Sequence, residues 1–296
     1  MYLSHSKCLL CNSKDLLELK NYQNAYLVKC QKCNFVFGKR IPETSELIAH
    51  YQKYQRGGEI SAITIKRYEE LLDTFEKYRK TNRILDIGCG DGYFLEVAKK
   101  RGWQTFGTEY TDEAIATCSN KGITIHQGIL NPSNYTENDF DVITSFEVIE
   151  HINNPQREIK NIREILRVGG LFYFTTPNFN SISRLVLKEN WNVIEYPEHL
   201  SYYTPKTINA FFQINNFRKI KLSTTGISIK RVKKSIFPKK IIEQNNNFSS
   251  GLDIDQKFRN KIEKNIFLKV GKASVNLVLM FFQIGDSIKG FYIKRE

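Results

Sequence analysis

A chain of 296 residues with 41% hydrophobic content can bury the core of one large domain, or of a central domain with small additions. No apolar run approaches the 18 residues of a membrane span. The 44 Lys and Arg against 31 Asp and Glu leave a net charge of +13, which points to anionic partners and argues against acidic, self-solvating disorder.

The first 40 residues carry Cys8-x-x-Cys11 and Cys30-x-x-Cys33. Each pair reaches a single ion, and the 18 residues between the pairs can form a hairpin. Two such knuckles give a tetrahedral four-thiolate zinc site. With no open coordination position, that zinc is structural, and it supplies folding energy to a module with little core. The alternatives for the four sulfurs are two disulfides or free thiols. Tyr22, Tyr26, Phe35 and Phe37 are the aromatics expected to pack around the site. Cys89 and Cys118 are left over. The start of the chain, Met1 to Cys8, shows no apolar signal region, so the expected compartment is the cytoplasm.

Residues 41–80 read as a helical linker. One helix follows Pro42-Glu43 and carries Leu47, Ile48, Tyr51 and Tyr54. Gly57-Gly58 breaks it, and a second pattern uses Ile65, Tyr68, Leu72, Phe75 and Tyr78. Tyr51 and Tyr54, beside the Gly-Gly hinge, are candidates for a lid.

Asp86-Ile87-Gly88-Cys89-Gly90-Asp91-Gly92 follows the apolar Ile84-Leu85 and opens a helical pattern at Tyr93, Phe94, Val97 and Ala98. This reads as a strand, a glycine turn and a helix N-terminus, where backbone N–H groups remain available to a ligand. Trp103–Thr108 reads as a second strand, ending at Glu109. An acidic residue about 20 positions past such a turn is placed to hydrogen-bond a ribose diol. Further strands are expected at 123–126, 140–145, 171–176 and 217–225, with helices between them, so the sheet is doubly wound and mostly parallel.

These residues resemble the class I S-adenosylmethionine-dependent methyltransferases. The likeness rests on D-I-G-C-G-D-G at 86–92, G-T-E-Y at 107–110, F-D-V-I-T-S-F-E-V-I-E-H-I-N-N-P at 140–155, R-V-G-G-L-F-Y-F-T-T-P-N at 167–178 and E-H-L-S-Y-Y-T-P at 198–205. It implies a seven-stranded Rossmann-like sheet, with a last strand at 286–294 inserted antiparallel beside the sixth. The expected organisation is a zinc ribbon at 1–40, a helical cap at 41–80, a cofactor-binding core at 81–228, a basic helical insertion at 229–284 and a final strand at 285–296. In many relatives an acidic residue after the third strand meets the adenine amine. Gly128-Ile129-Leu130-Asn131 stands there instead, leaving Asn131 or the backbone for that contact.

The resemblance implies S-adenosyl-L-methionine as cofactor, with Asp86, Gly88, Gly90, Asp91, Gly92, Glu109, Phe146 and Glu147 around it. His151 and His199 are the candidate general bases. The alternative for His151 is to orient its loop through a backbone hydrogen bond. The 184–203 loop adds Arg184, Trp191, Glu195, Glu198, Tyr202 and Tyr203, a mix suited to a hydroxylated ligand or to covering apolar surface. From Ile227 to Glu296 there are 15 Lys and Arg against 6 Asp and Glu. The clusters Lys230-Arg231, Lys233-Lys234 and Lys239-Lys240 in that stretch suit a phosphorylated ligand, RNA or an anionic lipid surface. The helix within 266–283, apolar on more than one face, is expected to pack on the domain, a second subunit or a membrane surface; the oligomeric state stays open.

The expected activity is methyl transfer to a hydroxylated small molecule: a sugar, nucleotide-sugar or surface-glycan intermediate. Sugar C-methyltransferases share this kind of N-terminal module but have a further C-terminal domain, so O-methylation is favoured. RNA methylation is one alternative, since some rRNA methyltransferases also join a zinc module to this fold. A non-catalytic cofactor-binding scaffold is the other.

Overall fold

Alternating apolar residues and short turns place two antiparallel hairpins at the start of the chain. In the computed structural model, which describes residues 2–51, 57–58, 60–227 and 266–296, they are β1 (Leu16–Glu18), β2 (Leu27–Cys30) and β3 (Val36–Gly38). Tyr54, the lysine clusters at 230–240 and most of the 229–284 insertion lie outside the described residues. The linker forms α1 (Thr44–Tyr51) and α2 (Ala62–Phe75). Ser61 caps α2 by accepting from the Thr64 N–H at 3.2 Å. Leu72 and Phe75 on its inner face are fully buried.

The central sheet has seven strands. Its parallel part is β4 (Arg83–Ile87), β5 (Gln104–Glu109), β6 (Thr124–Gln127), β7 (Phe140–Phe146) and β8 (Leu166–Pro177). The helices between them are α3 (Tyr93–Lys100), α4 (Asp112–Asn120) and α5 (Pro155–Ile165). After β8 come α6 (Ile182–Leu187), the two-residue β9 (Ser201–Tyr202), α7 (Pro205–Ile214), β10 (Phe217–Thr225), α8 (Ile266–Phe281) and β11 (Ser287–Lys294). The spatial order is β10-β11-β8-β7-β4-β5-β6, and β11 runs antiparallel to both neighbours, as expected for the family resemblance. β8 is longer than the expected 171–176 because it begins at Leu166 and runs through an irregular stretch, Arg167-Val168-Gly169-Gly170, in which Gly169 has φ +72° and the register against β7 shifts. Arg167 is anchored there by an ion pair of 2.5 Å with the buried Asp141.

The N-terminal module is not a separate bead. β9, expected to be part of a ligand-facing loop, instead adds a fourth strand to the module's sheet, pairing Val36 with Tyr202 and Phe37 with Ser201. One cluster of buried residues runs from Cys8, Cys30, Phe35 and Phe37 through Tyr203 to Leu85, Ile87 and Ile143 of the central sheet. Gln156 of α5 donates to Leu10 O at 2.7 Å, and Gly38 N donates to Leu200 O at 2.9 Å. Module and central sheet therefore share one core, joined by apolar continuity across the β3–β9 pairing.

α8 follows its apolar sequence only in part. Leu279 is buried and its carbonyl accepts from Thr224 Oγ1 at 2.8 Å, whereas Leu277, Val278 and Phe281 are exposed.

Because the core is shared, Cys30→Ser should lower the stability of the whole described fold. Differential scanning calorimetry should show one transition at reduced Tm. An early module transition followed by an unshifted main one would contradict the shared core.

Candidate functional site

Parallel strands deliver their carboxyl ends to one edge of the sheet, and the loops after β4, β5, β7 and β8 meet there. Gly88, Gly90 and Gly92 all have positive φ, at +67°, +54° and +71°. At Gly90 this matters most: an added Cβ would meet nothing within 4 Å, so the main chain there faces open space that a ligand can approach. The turn is tied from behind. Gly88 N donates to Thr108 Oγ1 at 3.2 Å, Cys89 N to Thr108 O at 3.0 Å, and Gly90 N to Glu109 Oε2 at 3.0 Å.

Glu109 is buried at the end of β5, and its other oxygen accepts from Tyr110 N at 2.8 Å. Asp86 is buried beside it and accepts from Thr144 Oγ1 at 2.7 Å. Burial pushes the Asp86 carboxyl up to about 7; the nearby Glu109 carboxylate adds to the rise and the Thr144 hydrogen bond opposes it. Asp91 reaches across to the linker, accepting from Gly57 N at 3.1 Å, while Tyr93 donates its hydroxyl proton to Gly58 O at 2.5 Å. The Gly-Gly segment thus crosses the glycine turn. On the far flank, Tyr110 and Ile129 are each 49% exposed beside Glu109 and β6. Asn131 caps the short turn Pro132–Asn134, accepting from Ser133 N at 3.2 Å.

Phe146 ends β7 inside an aromatic cluster, 5.0 Å from Phe94, 5.5 Å from Tyr173 and 6.0 Å from Tyr68 between ring centroids. Glu147 follows with φ +54°, a conformation uncommon for a side-chain-bearing residue. Thr175 holds it there: Glu147 N donates to Thr175 O at 3.0 Å and to Thr175 Oγ1 at 3.2 Å. Ser287 Oγ of β11 donates to its carboxylate at 3.2 Å.

Two histidines stack beyond β7, with ring centroids 4.8 Å apart. His151 Nδ1 lies 2.6 Å from Glu198 O and Nε2 3.1 Å from Glu147 O. A neutral imidazole donates through only one nitrogen, so these two carbonyls favour the protonated ring. Burial works the other way and lowers the His151 pKa overall. His199 Nδ1 donates to Val193 O at 2.7 Å, which fixes the tautomer with its lone pair on Nε2. Glu150 is buried below them and accepts from Thr176 Oγ1 at 2.9 Å.

In the rest of the 184–203 loop, the aromatic residues take the second of the two expected roles. Trp191, Tyr202 and Tyr203 are buried at 1%, 3% and 2% exposure, packing on Phe179, Phe179 and Phe35. They cover apolar surface and present no ring to a ligand. Arg184 lies over the Phe179 ring and donates to its carbonyl.

At the opposite end of the shared core, Cys8 and Cys33 sulfurs lie 3.5 Å apart, as do those of Cys11 and Cys30, and all four fall within 4.8 Å of one another. A tetrahedral zinc with sulfurs at about 2.3 Å holds them roughly 3.8 Å apart, so the four residues fit that ion. None of the six cysteines is joined in a disulfide.

Sequence reading did not single out Thr108, Thr144, Thr175 or Ser287, whose hydroxyls position Gly88, Asp86 and Glu147. Only the strand register, which sets Asp86 against Thr144, puts them beside the site.

A family model described as a methyltransferase domain matches residues 54–222. The chain is 34% identical to the ubiquinone biosynthesis O-methyltransferase of Coxiella burnetii over 131 residues, covering 41% of this chain and 52% of that protein. It is 28% identical over 140 residues to the protein of the same name from Actinobacillus pleuropneumoniae, covering 44% and 57%. The chain thus spans about half the length of the curated relatives it matches. A SAM-dependent methyltransferase structure from Archaeoglobus fulgidus superposes with a TM-score of 0.51 at 16% identity, over 85% of this chain and all of that one, which shows the fold. With its glycine turn, its inserted antiparallel strand and a family match over more than half its length, the chain belongs to the methyltransferase domain family.

Proposed function

We propose that the protein is an S-adenosylmethionine-dependent methyltransferase that methylates an oxygen of a hydroxylated small molecule. The observation that carries this reading is the open glycine turn at Gly90, flanked by the buried carboxylates Asp86 and Glu109 at the carboxyl edge of the sheet. Bound there, the cofactor supplies a methyl group already activated by its sulfonium. Asp86 and the 88–92 turn hold its amino and carboxylate end, Glu109 accepts from the ribose hydroxyls, and Tyr110 and Ile129 border the purine. The Gly57-Gly58 crossing and Phe146 shield the reacting centre from water. The four-cysteine site holds a structural zinc.

The acceptor side is formed by Glu147, His151 and His199. Methyl transfer needs the acceptor atom held in line, about 3 Å from the methyl carbon, so positioning supplies much of the rate. An oxygen acceptor also gives up a proton, and His199 Nε2 carries the lone pair to take it. His151 fastens the 147–151 and 195–200 loops together through its two carbonyl contacts. Oxygen as the acceptor atom also agrees with the O-methyltransferase names of the curated relatives. A sugar or nucleotide-sugar remains the finer reading, although the buried Trp191, Tyr202 and Tyr203 withdraw the stacking surface expected for it.

Glu109→Ala should weaken cofactor binding by about 1–3 kcal/mol, the scale of a lost charged hydrogen bond. Isothermal titration calorimetry showing unchanged affinity would take Glu109 out of the site.

Asp86 makes the pH dependence specific. Its folded pKa of about 7 lies above the usual carboxyl value, so the contribution of Asp86 to the stability of the ligand-free fold is fully present below about pH 4 and is lost as pH rises through 7. A cationic ammonium prefers the ionised carboxylate. Cofactor affinity should therefore increase from pH 6 to pH 8, and Asp86→Asn should flatten that rise while raising Tm at pH 8 more than at pH 5. A wild-type affinity that is level across this range would contradict the pairing.

His199→Ala should leave acceptor KM near its original value and cut kcat by about 10²-fold or more. With labelled cofactor, methyl label should enter a panel of hydroxylated small molecules with little dependence on salt. Label found only in RNA, in a reaction falling roughly 10³-fold between 50 and 200 mM salt, would overturn the small-molecule reading.

A further inference from the structure

The glycine turn contains a cysteine whose sulfur points away from the ligand side. Cys89 Sγ lies against Gly107 of β5, where an added Cβ would stand 2.7 Å from it. Cys118 of α4 approaches the same space from the helix side, and its Sγ occupies the position left by the missing Cβ of Gly92, again at 2.7 Å. The two sulfurs lie 3.9 Å apart, 29 positions apart in the chain, and both face Gly90 O, Cys118 at 3.3 Å and Cys89 at 3.8 Å. Cys118 is fully buried, and Cys89 is half-buried. No other sulfur joins them: the remaining four cysteines form the separate metal-type cluster.

We propose that Cys89 and Cys118 are an oxidisable pair, closed to a disulfide by hydrogen peroxide, and that closure weakens cofactor binding by displacing the glycine turn. The effect on cofactor rests on the methyltransferase reading of that turn.

The chemistry balances within the pair. One sulfur, as thiolate, attacks a peroxide oxygen; the O–O bond breaks, one water leaves and a sulfenic acid forms. The second sulfur attacks it, the hydroxyl departs as a second water, and the S–S bond closes. Two thiols lose two hydrogens and two electrons, and the peroxide becomes two waters. Donation from Cys89 and the Lys121 ammonium favour the Cys118 thiolate, which serves either step.

Geometry links this bond to the turn. An S–S bond of about 2.05 Å requires the sulfurs to close by nearly 2 Å. Cys89 has little slack, because its N–H is bonded to Thr108 O and its neighbours Gly88 and Gly90 are bonded to Thr108 and Glu109. Closure also removes the Cys118 S–H that donates to Gly90 O in the reduced, protonated pair. Gly90 is the residue whose main chain faces the open ligand side, so movement there is felt directly by the cofactor.

The test uses full-length protein, reduced or treated with hydrogen peroxide, then digested with trypsin without reductant. The expected product joins peptide 84–99 to peptide 102–121 with loss of two hydrogens. Cofactor affinity measured by calorimetry should fall tenfold or more and return on adding dithiothreitol. Cys118→Ser, which keeps a donor towards Gly90 O, and Cys118→Ala should bind cofactor like reduced wild type and keep that affinity after peroxide. Absence of the cross-linked peptide overturns the proposal, as does a cross-link that leaves affinity unchanged. Equal loss of affinity in the Cys118 variants would assign the effect to the other thiolates and overturn it too. Reduced wild type that fails to bind cofactor would overturn the reading of the site itself. The cross-linked peptide, read by mass, separates that failure from failure of the sulfur pair.

Discussion

A backbone hydrogen bond from Gly90 to the Glu109 carboxylate sets the geometry on which the site depends. It joins the loop after β4 to the end of β5, so the neighbouring strand holds the glycine turn together with the turn's own bond from Gly92 N to Cys89 O at 3.0 Å. Thr108 strengthens the same link through both its carbonyl and its hydroxyl. Each of these contacts needs the parallel register that sets Ile87 opposite Thr108. A one-residue slip would turn the Thr108 and Glu109 side chains to the opposite face. The buried Ile84 and Leu85 of β4 and Val142 and Ile143 of β7 make such a slip costly, which is how core packing reaches the ligand edge.

That chain of dependence explains what could be read from sequence. The glycine turn, Glu109 and the strands at 140–146 and 217–225 are local signals: positive-φ residues at fixed spacing and apolar runs bounded by turns. They are legible because the physics that produces them spans only a few residues. The hydroxyl partners are a different case. Thr144 and Thr175 look like ordinary β-branched strand residues, and only pairing across the sheet puts them against Asp86 and Glu147. His199 was visible as a polar residue in a loop, but its tautomer depends on the carbonyl of Val193, whose position follows from how that loop folds.

The residues of 191–203, whose two roles the sequence left open, are decided by one cause. A stretch with Trp, Tyr and His between two regular elements has the composition of a ligand-facing loop, and composition cannot tell which side of the loop meets solvent. Here the N-terminal sheet has a third strand, Val36–Gly38, that needs a partner. Ser201–Tyr202 supplies one. The pairing turns Tyr202 and Tyr203 inward, where each hydroxyl still needs a partner, and Tyr202 finds one in His199 O at 3.1 Å. Arg40 extends the junction: its guanidinium sits within 5.5 Å of the Tyr2, Tyr26 and Tyr196 rings and pairs with Glu46 of α1 at 2.7 Å. The four-cysteine module therefore fixes the loop that carries His199.

The electrostatics of the site run against the charge of the whole chain. A protein with net +13 places two buried carboxylates, Asp86 and Glu109, at the centre of its ligand edge. Excess Lys and Arg are compatible with this because they lie far from the site in sequence, concentrated after residue 227. In water the two carboxylates would simply be solvated. Burial raises the cost of ionising Asp86, and the nearby Glu109 carboxylate adds to it. A ligand bearing both a sulfonium and an ammonium relieves that cost, whereas a neutral analogue leaves it in place. In the cofactor site proposed above, the ammonium of the bound donor is the charge that offsets this cost at Asp86.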